Sequence, residues 1–174
     1  MDYPFTIRPA TLEDIEAIAA VHIQSWKETY PGIMPAQRIN ALNMAGCMRN
    51  WQLSMESGIT ILVAVQDGGI VGFASGGKNR NNEHCETGLG DACDCELAAI
   101  YILQKYHHQG IGRALVQQIA SLMQQQGFRS MVIWVAEKNP ATGFYAALGG
   151  KLVDRKYLIV CEEAIPVVAY RFEL

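Results

Sequence analysis

The sequence predicts a single α/β domain in which helices cover one mixed β-sheet. Three observations carry that prediction. Strand-like and helix-like segments follow one another in the order β, α, α, β, β, β, α, β, α, β, β, as layered α/β folds require. The length of 174 residues fits one domain on the usual scale of roughly 100 to 200 residues each. Half of the residues are hydrophobic and 18 % are charged, which supplies a core and excludes the composition of disordered chains.

Thr6 to Pro9 reads as a short first strand. Thr11-Leu12-Glu13-Asp14 then sets a hydroxyl before two acids, the start of a capped helix. Leu12, Ile15, Ile18, Ala19, His22 and Trp26 keep helical spacing until Tyr30-Pro31-Gly32 breaks it. Pro35 to Ser57, with Ile39, Leu42, Met48, Trp51 and Met55, reads as one or two looser helices. Ile59 to Val65 and Ile70 to Ser75 flank the turn signal Asp67-Gly68-Gly69, which predicts a β-hairpin. Gly76 to Asp94 is rich in Asn, Gly and Cys without hydrophobic period and reads as an elaborated loop.

Glu96 to Leu103 is an apolar strand, Lys105 to Gln109 a polar connection, and Ile111, Leu115, Val116, Ile119, Leu122 and Met123 mark an amphipathic helix. Arg129 to Ala136 is the next strand. Asn139-Pro140 opens a short helix through Leu148, which Gly149-Gly150 ends. Lys151 to Val160 and Ile165 to Phe172 close the chain as an antiparallel pair, whose edge offers a contact for a homodimer.

Fourteen Lys and Arg against seventeen Asp and Glu give a net charge of -3, the opposite of a phosphate-backbone footprint, so no nucleic-acid partner is expected. The N-terminus lacks a signal-peptide pattern, and no apolar run approaches the roughly 18 residues of a membrane span. The expected setting is therefore cytoplasmic, with no membrane association. Five cysteines at irregular positions, Cys47, Cys85, Cys93, Cys95 and Cys161, are expected as reduced thiols. His84, Cys85, Cys93 and Cys95 are ligand types for zinc, but the paired Cys-x-x-Cys spacing is missing and no metal is expected.

The strongest local signal is Tyr106-His107-His108-Gln109-Gly110-Ile111-Gly112-Arg113-Ala114-Leu115, a glycine-containing turn from a strand into a helix. Glycines let backbone approach a ligand, and the amides at a helix N-terminus suit an anion such as pyrophosphate. Taken alone, the turn is equally a tight packing device. A dinucleotide fingerprint would need a small residue where Leu115 stands and an acid near Ser130-Met131-Val132-Ile133, and neither is present. A P-loop would need Gly-Lys-Ser/Thr, which the chain lacks.

Three stretches in order, Glu96-Leu97-Ala98-Ala99-Ile100-Tyr101-Ile102, His107-His108-Gln109-Gly110-Ile111-Gly112 and Asn139-Pro140-Ala141-Thr142-Gly143-Phe144-Tyr145-Ala146-Ala147-Leu148-Gly149-Gly150, closely resemble the acetyl-CoA-binding core of the GNAT superfamily of N-acetyltransferases. The family's phosphate loop has the form Gln/Arg-x-x-Gly-x-Gly/Ala; here His107 takes the first place and both glycines hold. Gln104 stands where many members have proline. Ile7-Arg8-Pro9-Ala10 with Asp14, and Trp26-Lys27-Glu28-Thr29-Tyr30-Pro31-Gly32, extend the resemblance towards the N-terminus.

The resemblance implies a mixed, mostly antiparallel central sheet flanked by helices on both faces, as one domain over residues 1–174. It implies acetyl-CoA as cosubstrate and transfer of an acetyl group to a primary amine of a small molecule or peptide, by direct attack in a ternary complex. Similar proteins lay the pantetheine along the strand that here holds Ile100 and Ile102. They cradle the pyrophosphate on amides corresponding to Gln109, Gly110, Ile111, Gly112, Arg113 and Ala114; Lys105, His107, His108 and Arg113 would add positive potential. The comparison marks Tyr145 as general acid for the leaving thiolate, its other role being a core tyrosine beside Phe144. Asn139 would cap its helix, hydrogen-bond the pantetheine, or both. Glu96, given the side-chain parity of Ala98, Ile100 and Ile102, is the candidate base, with Asp94, Glu28 and a water chain open beside it. Trp26 and Tyr30, with Trp51, would line the acceptor pocket or belong to the core. The alternative reading is a non-catalytic acyl-CoA-binding or regulatory module on the same fold.

Overall fold

The computed structural model describes residues 4–80 and 93–174; His84 and Cys85 of the zinc expectation, and most of the 84–95 segment, lie outside them. Its strands are β1 (Thr6–Pro9), β2 (Thr60–Gln66), β3 (Gly69–Lys78), β4 (Cys95–Ile102), β5 (Ser130–Ala136), β6 (Lys151–Val160) and β7 (Glu163–Glu173). Its helices are α1 (Ile15–Thr29), α2 (Ala36–Asn40), α3 (Met44–Glu56), α4 (Ile111–Gln125) and α5 (Ala141–Ala147). The strands form one sheet in the order β1-β2-β3-β4-β5-β7-β6, antiparallel throughout except between β4 and β5.

The period of two in β2 decides the layering. Leu62 and Ala64 point to one face of the sheet, where they meet Leu115, Ile119 and Met123 of α4. Ile61 and Val63 point to the other, where they meet Ile18 and Val21 of α1. All of these side chains are buried, so β2 is apolar on both sides, as a central strand needs. Gly76 lets α4 lie close on β3: a Cβ there would stand 2.7 Å from Ile119 Cγ2.

Local chemistry explains the boundaries. Thr11 donates from its backbone N–H to Asp14 Oδ2 at 2.8 Å, but Leu12–Asp14 form a 3-10 turn, so α1 begins three residues later than the capping pattern implies. Asn43 splits the Pro35–Ser57 stretch in two by accepting the Gly46 N–H at 2.9 Å at the start of α3. β3 continues past Ser75 to Lys78. Edge strand β6 carries the exposed side chains Leu152, Tyr157 and Ile159. Cys47, Cys93, Cys95 and Cys161 are free thiols. Among the described residues no helix is long and apolar enough to cross a membrane.

Arg8 of β1 binds Asp14 with two nitrogens, at 2.7 and 2.9 Å, and so ties the first strand to the entry of α1. Those hydrogen bonds, against the opposing effect of burial, hold the Asp14 carboxyl at about 2. Its folded value lies below that of an unfolded aspartate, roughly 3.9, so the stabilisation is complete above pH 4 and disappears as pH falls towards 2. Asp14→Asn is expected to lower stability by about 1–2 kcal/mol at pH 7, a figure discounted because Arg8 is half exposed. Urea unfolding of both proteins should show the difference shrinking between pH 4 and 2.

Candidate active site

β4 and β5 pair only at Cys95 with Met131 and Glu96 with Val132. β5 stays paired along its whole length with β7. β4 is turned aside by a bulge: its register on β3 shifts between Ser75 and Gly76, leaving Ala98 without a partner. Leu103 donates its N–H to the Val71 carbonyl at 3.0 Å. The antiparallel alternation then directs Tyr101 and Ala99 towards β3, and turns the backbone N–H and C=O groups of Ile100 and Ile102 into the gap beside β5.

The gap widens into a cleft of about 480 Å³, bounded by the divergent strands, the last turns of α1, the start of α4, and α5. At one end lies the glycine turn. Gly110 adopts φ 88°, and the Ala114 N–H bonds the Gly110 carbonyl at 3.0 Å. Ile111, Gly112 and Arg113 are therefore the first-turn residues whose N–H groups have no acceptor within the helix. Gly112 seats this turn, since a Cβ would stand 3.1 Å from Phe144 Cζ and 3.3 Å from Ile102 Cδ1. His107 Nε2 lies 2.8 Å from the Ile102 carbonyl oxygen and, in the tautomer protonated there, donates to it. His108, in the left-handed region at φ 60°, also lines the cleft.

Two expected cofactor contacts are placed differently. The Ala114 amide is consumed by the helix it begins. Gln109 is not among the cleft-lining residues, and its side chain donates to the Lys105 carbonyl at 3.3 Å and accepts from Gln66 at 3.1 Å. Lys105 is not among the cleft-lining residues either; its ammonium lies 4.7 Å over the Tyr106 ring.

Deeper in, three phenols converge from three elements: Tyr30 after α1, Tyr101 on β4 and Tyr145 on α5. Tyr145 is 4 % exposed, and its ring meets Phe144 at 5.2 Å and Tyr170 at 6.0 Å. Burial, and then the neighbouring Tyr101 hydroxyl, push its proton affinity above that of an ordinary tyrosine. Tyr30 is raised for the same reason, with Tyr101 and Tyr145 adding to burial and a hydrogen bond with Asn139 offsetting part of it. Asn139 also accepts the Ala141 N–H at 2.9 Å, so it caps α5 while lining the cleft.

Behind the phenols lies an aromatic wall. Tyr101 stacks on His22, with centroids 4.9 Å apart and planes 6° apart. Trp51 Nε1 donates to His22 Nδ1 at 3.0 Å. Burial, helped by Arg38, lowers the His22 pKa to about 4 and keeps the ring neutral at physiological pH. Trp26 is not part of the cleft lining; it packs on Tyr30 at 4.5 Å beneath the Arg38 guanidinium and supports the wall from behind.

Glu96 does not share the face of Ile100 and Ile102. The bulge reverses the parity: Cys95 and Leu97 before it lie with Ile100 and Ile102 after it in the α4-side core, while Ala99, Tyr101 and Leu103 face α1. Glu96 thus points to the α1 side, buried and paired with Arg80 through both carboxylate oxygens, and is not among the cleft-lining residues. Among the described residues the carboxylate that lines the cleft is Glu28, whose Oε2 accepts the Gln104 N–H at 2.8 Å and whose Oε1 accepts from Gln24 at 2.9 Å. Ser25, Tyr101, Trp134 and Phe144 join the lining without having been singled out from sequence. Ser25 falls one helical turn before Glu28 and Thr29, a spacing that marks the shared face.

The model of the acetyltransferase (GNAT) family matches residues 19–149. The chain belongs to the GNAT family. An uncharacterized N-acetyltransferase of Bacillus subtilis, YuaI, is 39 % identical over 142 residues, 82 % of this chain and 78 % of that protein. A spermidine N(1)-acetyltransferase of Thermoplasma acidophilum is 26 % identical over 155 residues, 85 % of this chain and 89 % of that one. Among solved structures, the Salmonella typhimurium yncA acetyltransferase with acetyl-CoA superposes with a TM-score of 0.72 at 17 % identity, over 98 % of this chain and 94 % of that one. The Thermoplasma acidophilum PaiA N-acetyltransferase with coenzyme A gives 0.69 at 20 % identity, over the whole of both chains. These two share the fold.

The chain is accordingly an N-acetyltransferase with acetyl-CoA as cosubstrate. Its own atoms fit that molecule: the Ile100 N–H and C=O and the Ile102 N–H, turned from β3 into the gap, suit an extended amide-bearing arm, and the first-turn N–H groups of α4 suit a pyrophosphate. Gly110→Ala forces a Cβ into a left-handed position that costs about 1–2 kcal/mol, so calorimetry should find CoA bound roughly tenfold more weakly than by the parent protein.

Proposed function

We propose that this acetyltransferase acts on a primary amine of a small molecule or peptide, which attacks the thioester directly in a ternary complex. The observation that carries this reading is the Tyr145 phenol, buried in the wall of the cleft and facing Tyr101, on the strand whose next residue turns its backbone N–H into the gap. Tyr145 holds its proton over the whole working pH range because burial disfavours the phenolate. It is placed to give that proton to the leaving sulfur. The Ile102 N–H serves as the donor to the developing oxyanion.

An alkyl amine with a pKa around 10 arrives mostly protonated and must lose a proton before attack. Glu28 is the cleft-lining carboxylate and takes that proton, directly or through water. Glu96, held by Arg80 on the far side of the bulge, steadies β4 and has the smaller share. Tyr30 and Asn139 border the acceptor, and Ile100, Ile102, Gly110, Ile111, Gly112 and Arg113 hold the cosubstrate.

Free-thiol release from acetyl-CoA, followed against a panel of amines, tests the assignment. Tyr145→Phe is expected to lower kcat about 100-fold while leaving CoA affinity unchanged. Glu28→Gln should lower kcat/KM by a similar factor, and Glu96→Gln by less than about tenfold. Thiol release unaltered in Tyr145→Phe removes the general-acid assignment.

A further inference from the structure

β6 is the last strand of the sheet, and among the described residues no strand pairs with its outer edge. Natural edges are usually kept short, kinked by a bulge, or guarded by proline or lysine. β6 is ten residues long and holds no proline, and its bulge lies at its start, between Leu152 and Asp154. Lys156 does not guard it either, because its ammonium lies 4.5 Å over the Trp134 ring. Of the seven large apolar side chains left exposed among the described residues, four (Leu152, Val153, Tyr157 and Ile159) are on this strand.

The ladder fixes which backbone groups face outwards. The Glu137 N–H donates to the Pro166 carbonyl at 2.9 Å, so β7 turns Pro166 towards β5 and the alternate residues Ile165 and Val167 towards β6. Val167 stands opposite Lys156, Ile165 opposite Leu158 and Glu163 opposite Val160. Arg155, Tyr157 and Ile159 therefore direct their N–H and C=O groups away from the sheet. The Arg155 N–H is taken by the Asp154 carboxylate at 2.7 Å; the rest form a row that a further strand can complete.

We propose that a second copy of this chain occupies the edge, β6 lying antiparallel to β6 across a two-fold axis at Tyr157. Outward groups must meet outward groups, which restricts the axis to a position level with one residue. Charge decides which residue, since like charges set directly opposite destabilise a pair. An axis at Asp154, Arg155 or Lys156 sets that charge against its own copy. An axis at Leu158 brings Asp154 up to the partner's Glu162, and one at Ile159 pairs only residues 158–160. The axis at Tyr157 pairs the whole run 154–160 without a like-charged match: Asp154 meets the partner's Val160, Arg155 the partner's Ile159 and Lys156 the partner's Leu158. Tyr157 then exchanges both hydrogen bonds with its own copy, and the Ile159 N–H reaches the partner's Arg155 carbonyl. Tyr157 and Ile159 share a face of the strand and are 60 % and 72 % exposed, so two tyrosines and two isoleucines join into one apolar strip. The acidic end of the hairpin, Glu162-Glu163, comes to the end of the partner strand that begins with Lys151.

Sedimentation of the full chain at micromolar concentration should give a dimer. Tyr157 is exposed in the single chain, so Tyr157→Lys and Tyr157→Glu should keep the parent's circular dichroism spectrum. Each sets like charges on the axis and should raise the dimer dissociation constant about tenfold. An equimolar mixture of the two sets lysine against glutamate and should tighten it again by about threefold or more. In a Cys161→Ser background, Tyr157→Cys should cross-link to its own copy under mild oxidation, whereas Ile159→Cys should not. A monomer leaves the edge to another protein's strand or to solvent and overturns the inference. A dimer untouched by both charged variants lies on another surface and overturns it too. A mixture that stays dissociated, or cross-linking through Ile159→Cys instead, overturns the axis at Tyr157.

Discussion

After Glu96 and Val132, β4 and β5 stop exchanging hydrogen bonds, and backbone groups that a closed sheet would satisfy internally face a cleft instead. A parallel pair held at one end and open at the other is stable only if each strand is secured on its outer side. β7 does this for β5 and β3 does it for β4. The bulge at Ala98 sets the direction in which β4 departs, and α4 must begin where β4 ends, with Gly112 filling the narrow space between Phe144 and Ile102. Strand groups for an extended arm and helix amides for an anion are in this way brought to one opening by a local fault in pairing.

Burial then fixes the protonation states around that opening. It raises the phenols of Tyr30, Tyr101 and Tyr145 and lowers the His22 imidazole, so all four rings stay neutral near pH 7. A neutral wall leaves the carboxylate of Glu28 and the cations near α4 to set the field inside the cleft. His107 acts at the other end of the cleft: in the tautomer protonated at Nε2 it donates to the Ile102 carbonyl and connects the glycine turn to the strand, a link that the family pattern at this position does not itself specify.

Much of this was legible in the sequence because it is encoded locally. The β2–β3 hairpin follows from Asp67-Gly68-Gly69 between two β-branched runs, and the end of α5 from Gly149, which takes φ 94°. The glycine turn and Tyr145 were marked by residues adjacent in the chain. The bulge was not legible, since Ala98 and Ala99 carry no signal that one of them lacks a cross-strand partner, and the inferred parity of Glu96 failed with it. Trp26 has the spacing of its helix neighbours, but whether it borders the cleft or lies behind Tyr30 depends on Arg38 of α2, twelve positions along. Trp134 gave no hint of lining the cleft, because that depends on where β4 leaves β5.

The hydrogen bond from the Gln104 N–H to Glu28 joins the last turn of α1 to the loop that leads into α4. Where many relatives have a rigid ring at this loop position, this chain has a residue that keeps its amide proton, and α1 takes hold of it. The α1 side of the cleft and the glycine turn at the start of α4 thus share a mechanical link, and a displacement of either is felt by the other. A substitution that shifts α1 would therefore also shift the turn that opens α4, so the two ends of the cleft vary together.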